Sequence, residues 1–483
     1  MNFAIIKRTL GWILIFEALF FVIPIITGLA YQETQTLSFV WTALICAGVG
    51  GLLLIGKIKN TNLYAREGFV IVAGSWIIMS LFGALPFVFS GEIPSYVDAL
   101  FETVSGFTTT GSSILSGEQI ENMSKCLLMW RSFTHWIGGM GVLVFILAFL
   151  PLCGGGNNIN LLRAESTGPS VSKLLPKMRS TAGVLYIIYA GLTVLEFVFL
   201  VFDMPLFDAI TTAFATAGTG GFAIRGDSLG GYSSYAQIVV TVFMLLFSIN
   251  FGCFFLVLRG RFKEAWTTEL RVFLGIVISA ITLISIDLCV TNIVTYSTGE
   301  AIKHSAFSVA SIISTTGFAT EDFTAWPAFS QSILLILMFV GACAGSTGGG
   351  IKVSRITVLC KGAFAEVKHV LHPKQVKKIT MDKRVVEHEV VRGINGYLTA
   401  FILVFVTSFL IVSLNGYDFT TNFTAVAATI NNIGPGLGKW VGPAGNFALF
   451  NPLSKIVLMF DMLVGRLEIF PMLVLFSLST WKK

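Results

Sequence analysis

The sequence predicts an all-α polytopic membrane protein: an N-terminal two-helix hairpin, then four pseudo-symmetric repeats around one axis, with about ten transmembrane helices. Three observations predict it. Of 483 residues, 54% are hydrophobic and only 12% charged, against about 25% charged in a soluble domain, and the mean hydropathy is +0.81. Apolar runs near the ~20 residues that cross a bilayer recur along the whole chain. One short turn occurs four times, as Thr108-Thr109-Thr110-Gly111, Gly218-Thr219-Gly220, Ser314-Thr315-Thr316-Gly317 and Asn431-Asn432-Ile433-Gly434.

Residues 1–60 hold the hairpin, with spans at 10–31 and 37–55. The first run exceeds a signal-peptide core and reads as a retained span. Pro24 is placed to kink it. Glu17 lies within it, at a depth where a carboxyl ordinarily faces protein or water and function is the starting hypothesis. No turn follows this hairpin, so it stands outside the repeat.

Each repeat reads as span, short re-entrant helix, turn, return span. Repeat 1 (61–155) has these at 69–87, 97–107, the Gly111 turn and 127–152. Repeat 2 (156–262) has them at 182–202, 207–216, Gly220 and 237–258. Repeat 3 (263–380) has them at 270–290, 302–313, Gly317 and 333–359. Repeat 4 (381–483) has them at 391–414, 419–430, Gly434 and 453–478. With Gly111, Gly220, Gly317 and Gly434 taken as equivalent, the spacings are 220 − 111 = 109, 317 − 220 = 97 and 434 − 317 = 117 residues. Units of fixed order at similar spacing mark a repeat architecture. Asp98 and Asp208 open two of the short helices, where the helix dipole favours a negative charge; this local explanation is preferred to ion binding.

The formal charge is 32 − 26 = +6, and its distribution sets the orientation. With a cytoplasmic N-terminus, inside segments carry Lys7, Arg8, Lys57, Lys59, Arg66, Arg163, Lys173, Lys177, Arg179, Arg259, Arg261, Lys263, Arg271, the dense run 361–392 and Lys482-Lys483. Outside segments carry only Lys125, Arg225, Lys303, Lys439 and Lys455. The positive-inside rule then puts both termini in the cytoplasm and all four turns on the outer side. The basic residues are not interleaved with aromatics as on a nucleic-acid platform. The seven cysteines (Cys46, Cys126, Cys153, Cys253, Cys289, Cys343, Cys360) form no CxxC pair, so reduced thiols are expected and neither a disulfide framework nor a zinc site.

Non-helical backbone is tolerated at membrane depth only where protein or a water-filled cavity surrounds it. Carbonyls there can replace the water shell of an ion, and Gly permits the backbone conformations a β-carbon would obstruct. The candidate filter residues are Thr109, Thr110, Gly111 and Ser112; Gly218, Thr219, Gly220 and Gly221; Thr315, Thr316, Gly317 and Phe318; and Asn432, Ile433, Gly434 and Pro435. No acidic ring lines the turns, which argues against a divalent-cation channel.

Two further features lie within return spans. Residues 341–350 read Gly-Ala-Cys-Ala-Gly-Ser-Thr-Gly-Gly-Gly, and each Gly costs a helix about 1 kcal/mol against Ala. A break at mid-membrane is expected, with Gly345, Ser346, Thr347, Gly348, Gly349 and Gly350 as a candidate gate. Close helix packing is the other use of such glycines. Arg466 lies mid-span, where a charge costs at least ~2.5–3.5 kcal/mol. It either pairs with Glu468 or Asp461, or faces the pore, where it touches the glycine loop or stands as a positive barrier below the filter. Two enzyme motifs nearly match and fail. Ile351 separates Gly350 from Lys352 in a would-be phosphate loop, and Ala344 stands where a nucleophile elbow needs Gly.

The segments 342–355 (ACAGSTGGGIKVSR), 431–438 (NNIGPGLG), 465–470 (GRLEIF) and the turn 105–111 resemble the Trk, Ktr and HKT superfamily of potassium transporters, and within it the TrkH-type uptake subunits, over essentially the whole chain. The resemblance implies four M1-P-M2 repeats around one pore and potassium entry through the filter. It also implies a gating loop at Gly345–Gly350 and obstruction of the closed pore by Arg466 with that loop. A homodimer in the bacterial inner membrane is implied, with a cytosolic ring of TrkA-like regulatory subunits that bind nucleotide; this chain is expected to bind no cofactor apart from potassium. In the family, Gly at the key position of all four turns goes with potassium preference, and Ser in the first goes with sodium permeation. The alternative to a gated pore is sodium- or proton-coupled symport, for which Glu17, Glu196 and Asp287 are the membrane carboxyls.

Overall fold

The computed structural model describes residues 1–56, 65–141, 178–291, 296–373 and 378–481. Lys57, Lys59, Arg163, Lys173, Lys177, Lys482, Lys483, the end of the return span 127–152 and the repeat boundaries at 60/61 and 155/156 lie outside the described residues. Among those described, all regular structure is helical except one two-stranded hairpin, Thr380–Met381 with Arg384–Val385. Asp382 and Lys383 form its turn at φ 48° and 64°, the double left-handed geometry of a tight hairpin. The boundary expected at 380/381 falls inside this strand, and that at 262/263 inside a short helix, Phe262–Ala265.

The N-terminal passage is Phe3–Phe20 followed by Val22–Ala30, and Thr36–Leu54 returns beside it. The break at Phe21 lies just upstream of Pro24, whose ring has no N–H and clashes with the carbonyl four residues earlier, that of Phe20. Gly11 and Gly50 set the spacing of the hairpin. A β-carbon on either would fall within 3.0 Å of the other's carbonyl oxygen, the close approach small residues allow between membrane helices. The hairpin covers the flank of repeat 1. Its outer passage, Arg66–Ser90, is 61% buried across its apolar window, against 28% for Gly183–Val201, Thr268–Thr291 and His388–Asn415 in repeats 2 to 4. Those three present large apolar side chains outward, among them Ile187, Ile278 and Leu403, as lipid contact requires.

The short helices are Tyr96–Phe107, Leu206–Ala217, Thr298–Ile313 and Phe419–Ile430. Each begins with a carboxylate: Asp98, Asp208 and Glu300 at the third helical position and Asp418 as N-cap. The helix dipole favours a negative charge in the first turn, and local bonds reinforce it. The Ser297 N–H and hydroxyl hold the Glu300 carboxyl below the usual range, as the Thr421 hydroxyl and N–H do for Asp418. Asp98 and Asp208 have cationic partners as well: Lys455 at 2.6 Å and Arg225 at 3.5 Å.

The return passages depart from expectation. Only the third is expected to break, yet the returns of repeats 2 and 4 break as well, and in repeat 1 the first return helix ends at Gly139. Their first helices are Lys125–Gly139, Ser234–Phe247, Ala328–Val340 and Pro452–Arg466, of 15, 14, 13 and 15 residues. In repeat 2 the chain bends by 92° before Phe251–Leu258. In repeat 4 it passes through Glu468 and Ile469 at φ 55° and 70° before Phe470–Phe476. Among the described residues six helices are long and apolar enough to cross a membrane alone, or seven when the bent pair Ser234–Phe247 and Phe251–Leu258 is counted as one span.

The hairpin also anchors repeat 1. The two Glu33 carboxylate oxygens accept the Lys125 and Cys126 N–H groups at 2.6 and 2.9 Å, capping the first turn of the return helix. Glu33→Ala is expected to lower stability by about 1–2 kcal/mol, seen as a lower Tm of the detergent-purified protein, with Glu33→Asp intermediate.

Candidate functional site

The four short helices end identically. Two residues past each helix stand Thr109, Thr219, Thr315 and Asn432, with φ of 54°, 54°, 59° and 55°. One residue further, the Thr110, Gly220, Thr316 and Ile433 N–H groups reach back to the carbonyls of Ser105, Ala215, Ser311 and Ala428 at 2.9, 2.9, 2.9 and 2.8 Å. This is the Schellman closure, in which a left-handed residue turns the chain off the helix. Glycine usually fills that position; a β-branched residue there is strained. Three threonines hold it here.

The turns then meet each other. Gly111, Gly221, Gly317 and Gly434 have φ of 81°, 73°, 84° and 102°. A β-carbon on each would fall within 3.0 Å of a carbonyl oxygen of the next turn: Gly220 for Gly111, Thr316 for Gly221, Ile433 for Gly317 and Thr110 for Gly434. The sequence of contacts runs 1, 2, 3, 4 and back to 1, so the turns close a ring. Carbonyls of Thr110, Gly220, Thr316 and Ile433 alternate around it with glycines that leave no room for a side chain. The Ser112 hydroxyl donates to the Gly434 carbonyl at 2.9 Å, and the Asn432 amide donates to Thr110 Oγ1 at 2.9 Å, tying turns 1 and 4. The C-terminal ends of four helices converge on the ring, and their partial negative charge favours a cation there.

This geometry corrects the register of the second turn. Gly221, not Gly220, matches Gly111, Gly317 and Gly434. Gly220 matches Thr110, and Gly218 is the helix cap matching Thr108 and Ser314. The spacings become 221 − 111 = 110 and 317 − 221 = 96 residues. Phe222, absent from the expected set, takes the place of Ser112, Phe318 and Pro435. The repeated Gly-Thr-Gly-Gly glycines hid the offset, which the helix ends resolve: each ring glycine is the fourth residue beyond its short helix.

Behind turns 1 and 2 lies a buried ion pair, Arg131 with Glu102 at 2.8 Å. Glu102 also accepts from the Ser113 hydroxyl and the Ile114 N–H at 2.9 and 3.1 Å. Arg131 donates to the Ala223 carbonyl at 3.1 Å and stacks over the Phe222 ring at 4.2 Å. Sequence reading missed both residues.

Against one side of the ring, residues 341–352 are non-helical, with Gly341, Gly345, Gly350 and Lys352 at positive φ. The break is therefore wider than Gly345–Gly350. Its backbone is bonded into three repeats. The Gly349 N–H donates to Thr315 Oγ1 at 2.6 Å and the Gly350 N–H to the Asn431 carbonyl at 3.1 Å, directly beneath turns 3 and 4. The Cys343 N–H bonds the Ser248 carbonyl at 3.1 Å, and the Phe251 N–H bonds the Gly345 carbonyl at 3.0 Å, joining the loop to the repeat 2 bend. Glu269 Oε1 accepts the Ala344 and Ser354 N–H groups at 2.7 and 3.1 Å, clasping the two ends of the loop. Lys352 Nζ bonds the Gly348 carbonyl.

Arg466 touches the loop, as one of the two expectations had it. It donates to the Thr347 carbonyl at 2.7 Å and to the Gly138 and Gly139 carbonyls at 2.5 and 2.8 Å. Glu468 pairs with Arg355, whose guanidinium lies over the Tyr397 ring at 4.2 Å. Asp461 accepts from the Ser408 hydroxyl at 2.6 Å. Arg466 thus spans repeats 1, 3 and 4 across the passage.

Among the described residues no cluster of three or more His, Cys, Asp or Glu could hold a metal ion, so a cation at the ring would be held by backbone carbonyls. Removing Arg131 alone leaves Glu102 buried without its cation, which is expected to cost about 3–5 kcal/mol. Arg131→Met should lower Tm strongly, and Arg131→Met with Glu102→Gln should recover part of the loss.

The profile of the cation transport protein family TrkH matches residues 35–482. The chain is 37% identical to the Trk system potassium uptake proteins TrkH of Salmonella typhimurium and of Escherichia coli K12, over 100% of each. The crystal structure of the potassium transporter TrkH from Vibrio parahaemolyticus superposes with a TM-score of 0.89 at 33% identity, covering 100% of both chains. These are transport proteins, and the near-miss enzyme motifs of the 341–352 loop are structural. The chain belongs to the TrkH family of cation transport proteins.

Proposed function

We propose that this chain is the potassium-translocating membrane subunit of a Trk-type uptake system. The observation that carries the reading is the closed ring of carbonyls from Thr110, Gly220, Thr316 and Ile433. Potassium gives up its water to these oxygens and to the surrounding turn carbonyls. The absence of acidic side chains from the ring suits a monovalent ion. Turns of unequal sequence favour a weaker discrimination against sodium than four identical turns would give.

The 341–352 loop and Arg466 form the gate. The loop lies under the ring, and the Arg466 charge stands across the passage below it, an electrostatic barrier to a cation. Glu269 and the Arg355–Glu468 pair hold this closed arrangement. Opening requires these bonds to be exchanged, which gives a cytosolic regulator a definite target. The likeness to TrkH-type proteins supports a homodimer in a bacterial inner membrane, both termini cytoplasmic, beneath which TrkA-like subunits bind nucleotide.

Coupled symport is less well supported. Asp287 is engaged by the Ser330 N–H and hydroxyl at 3.2 and 2.6 Å. Glu17 meets Thr103 and Phe107 around Gly83 of the repeat 1 span, and Glu196 is on the helix Met178–Val201. The carboxyls sit behind the ring rather than on it.

Flux into vesicles containing the purified chain tests the filter. Potassium should exceed sodium, and Gly111→Ser should raise sodium flux relative to potassium by about tenfold, as displacement of one carbonyl site implies. Unchanged selectivity in that variant would count against the ring. For the gate, Arg466→Ala and Glu269→Ala should each raise potassium flux without any partner by about tenfold. Wild-type flux in both would sink the gate assignment.

A further inference from the structure

Turn 2 lacks a support that turns 1 and 3 share. In turn 1 the Thr108 and Thr110 hydroxyls hydrogen-bond at 2.8 Å, and in turn 3 the Ser314 and Thr316 hydroxyls do so at 2.6 Å. These side chains prop the carbonyl residue of the ring against its helix cap. Repeat 2 has Gly218 and Gly220 at both positions, yet its turn has the same backbone angles as the others.

The missing volume is filled from another repeat. A β-carbon on Gly220 would fall within 3.0 Å of Nδ1, Cγ and Cε1 of His135, and one on Gly218 within 3.0 Å of the His135 carbonyl. His135 belongs to the repeat 1 return helix and is fully buried. Its ring makes two directed bonds. Nε2 lies 3.2 Å from the Phe222 N–H, and Nδ1 lies 2.8 Å from the Gly106 carbonyl. A backbone N–H can only donate and a carbonyl only accept, so Nε2 is the acceptor and the proton sits on Nδ1. The Phe222 ring packs on the imidazole at 4.3 Å between centroids, with Arg131 over the same ring.

We propose that His135 is a positioning residue that determines the cation selectivity of the ring. Its imidazole replaces the hydroxyl pair of turns 1 and 3 and fixes the Gly220 carbonyl by bonding the backbone at two places: the end of short helix 1 and the first residue past Gly221. The proposal rests on the reading of the ring as the potassium filter.

The test is cation-dependent thermal stability of the full-length purified protein, which does not require an open gate. Tm is followed against KCl and against NaCl, with choline chloride holding ionic strength constant; an ion that binds the folded state raises Tm as its concentration passes Kd. The wild type should respond to potassium at lower concentration than to sodium. His135→Ala should lower the salt-free Tm and also cut the potassium-to-sodium preference by about tenfold. His135→Gln, whose amide supplies one donor and one acceptor, should restore most of the preference. His135→Asn, which can reach Gly106 but not Phe222, should lose it; this variant carries the test should the alanine protein not fold. A lowered Tm with an unchanged preference in both His135→Ala and His135→Asn would overturn the proposal, because packing alone would then explain the residue. A wild type without potassium preference would overturn the filter reading itself, an outcome separate from the behaviour of the variants.

Discussion

A helix that stops inside an apolar layer leaves carbonyls and amides with no water to take them, and this chain stops four helices there. The breaks satisfy one another. The Gly138 and Gly139 carbonyls at the end of the first are taken by Arg466 from the fourth. The Ser248 carbonyl at the second is taken by Cys343 of the third. Glu269 takes amides from both ends of the third loop, and Arg355 takes Glu468 in the fourth break. No single break is stable by itself in such a medium, so the four form one unit at one level of the passage. A change that frees one set of groups leaves the others unsatisfied, which makes the arrangement switch-like rather than gradual.

The ring on the other side of the loop obeys the same constraint with less room. Each short helix closes on itself through a left-handed residue, and three of these residues are threonine. Such strain persists only where surrounding contacts over-determine it. Here they do: hydroxyl pairs in turns 1 and 3, the Asn432 amide between turns 4 and 1, and His135 at turn 2. Threonine at this position also holds the 341–352 loop, since Thr315 Oγ1 receives the Gly349 N–H. Ring and loop therefore share a residue, and a shift of the loop is felt directly at the third turn.

Most of the fold was legible because hydropathy carries it. The short helix expected at 419–430 is Phe419–Ile430, and those of the other repeats agree within a few residues. The breaks were legible only where composition was extreme, as at Gly348-Gly349-Gly350. Those after Gly139, Phe247 and Arg466 are marked by Gly141, by Asn250 capping Phe251–Leu258, and by Pro471, signals that are individually ordinary. The register of turn 2 was misread because adjacent glycines are interchangeable in sequence and differ only in dihedral angle. Arg466 was found because a charge at mid-span is rare; Glu269 and Arg131 were not, because their partners lie 75 or more residues away or within apolar stretches that give no sign of a polar interior. Asp98 and Asp208 were correctly assigned to helix starts, without their cationic partners.

The unequal repeats are what allow a single loop and a single arginine beneath the ring. Four identical subunits would place four loops and four arginines at the axis, and like charges there would repel. In a single chain the third repeat can carry a long glycine loop, the fourth an arginine, and the first and second the backbone groups that bond them. The same freedom lets turn 2 discard its hydroxyls and borrow an imidazole from repeat 1. Divergence that obscures the repeats in the sequence is thus the source of the division of labour in the structure: the ring keeps its fourfold order of contacts, while beneath it symmetry is given up and one loop and one charge tie the repeats together.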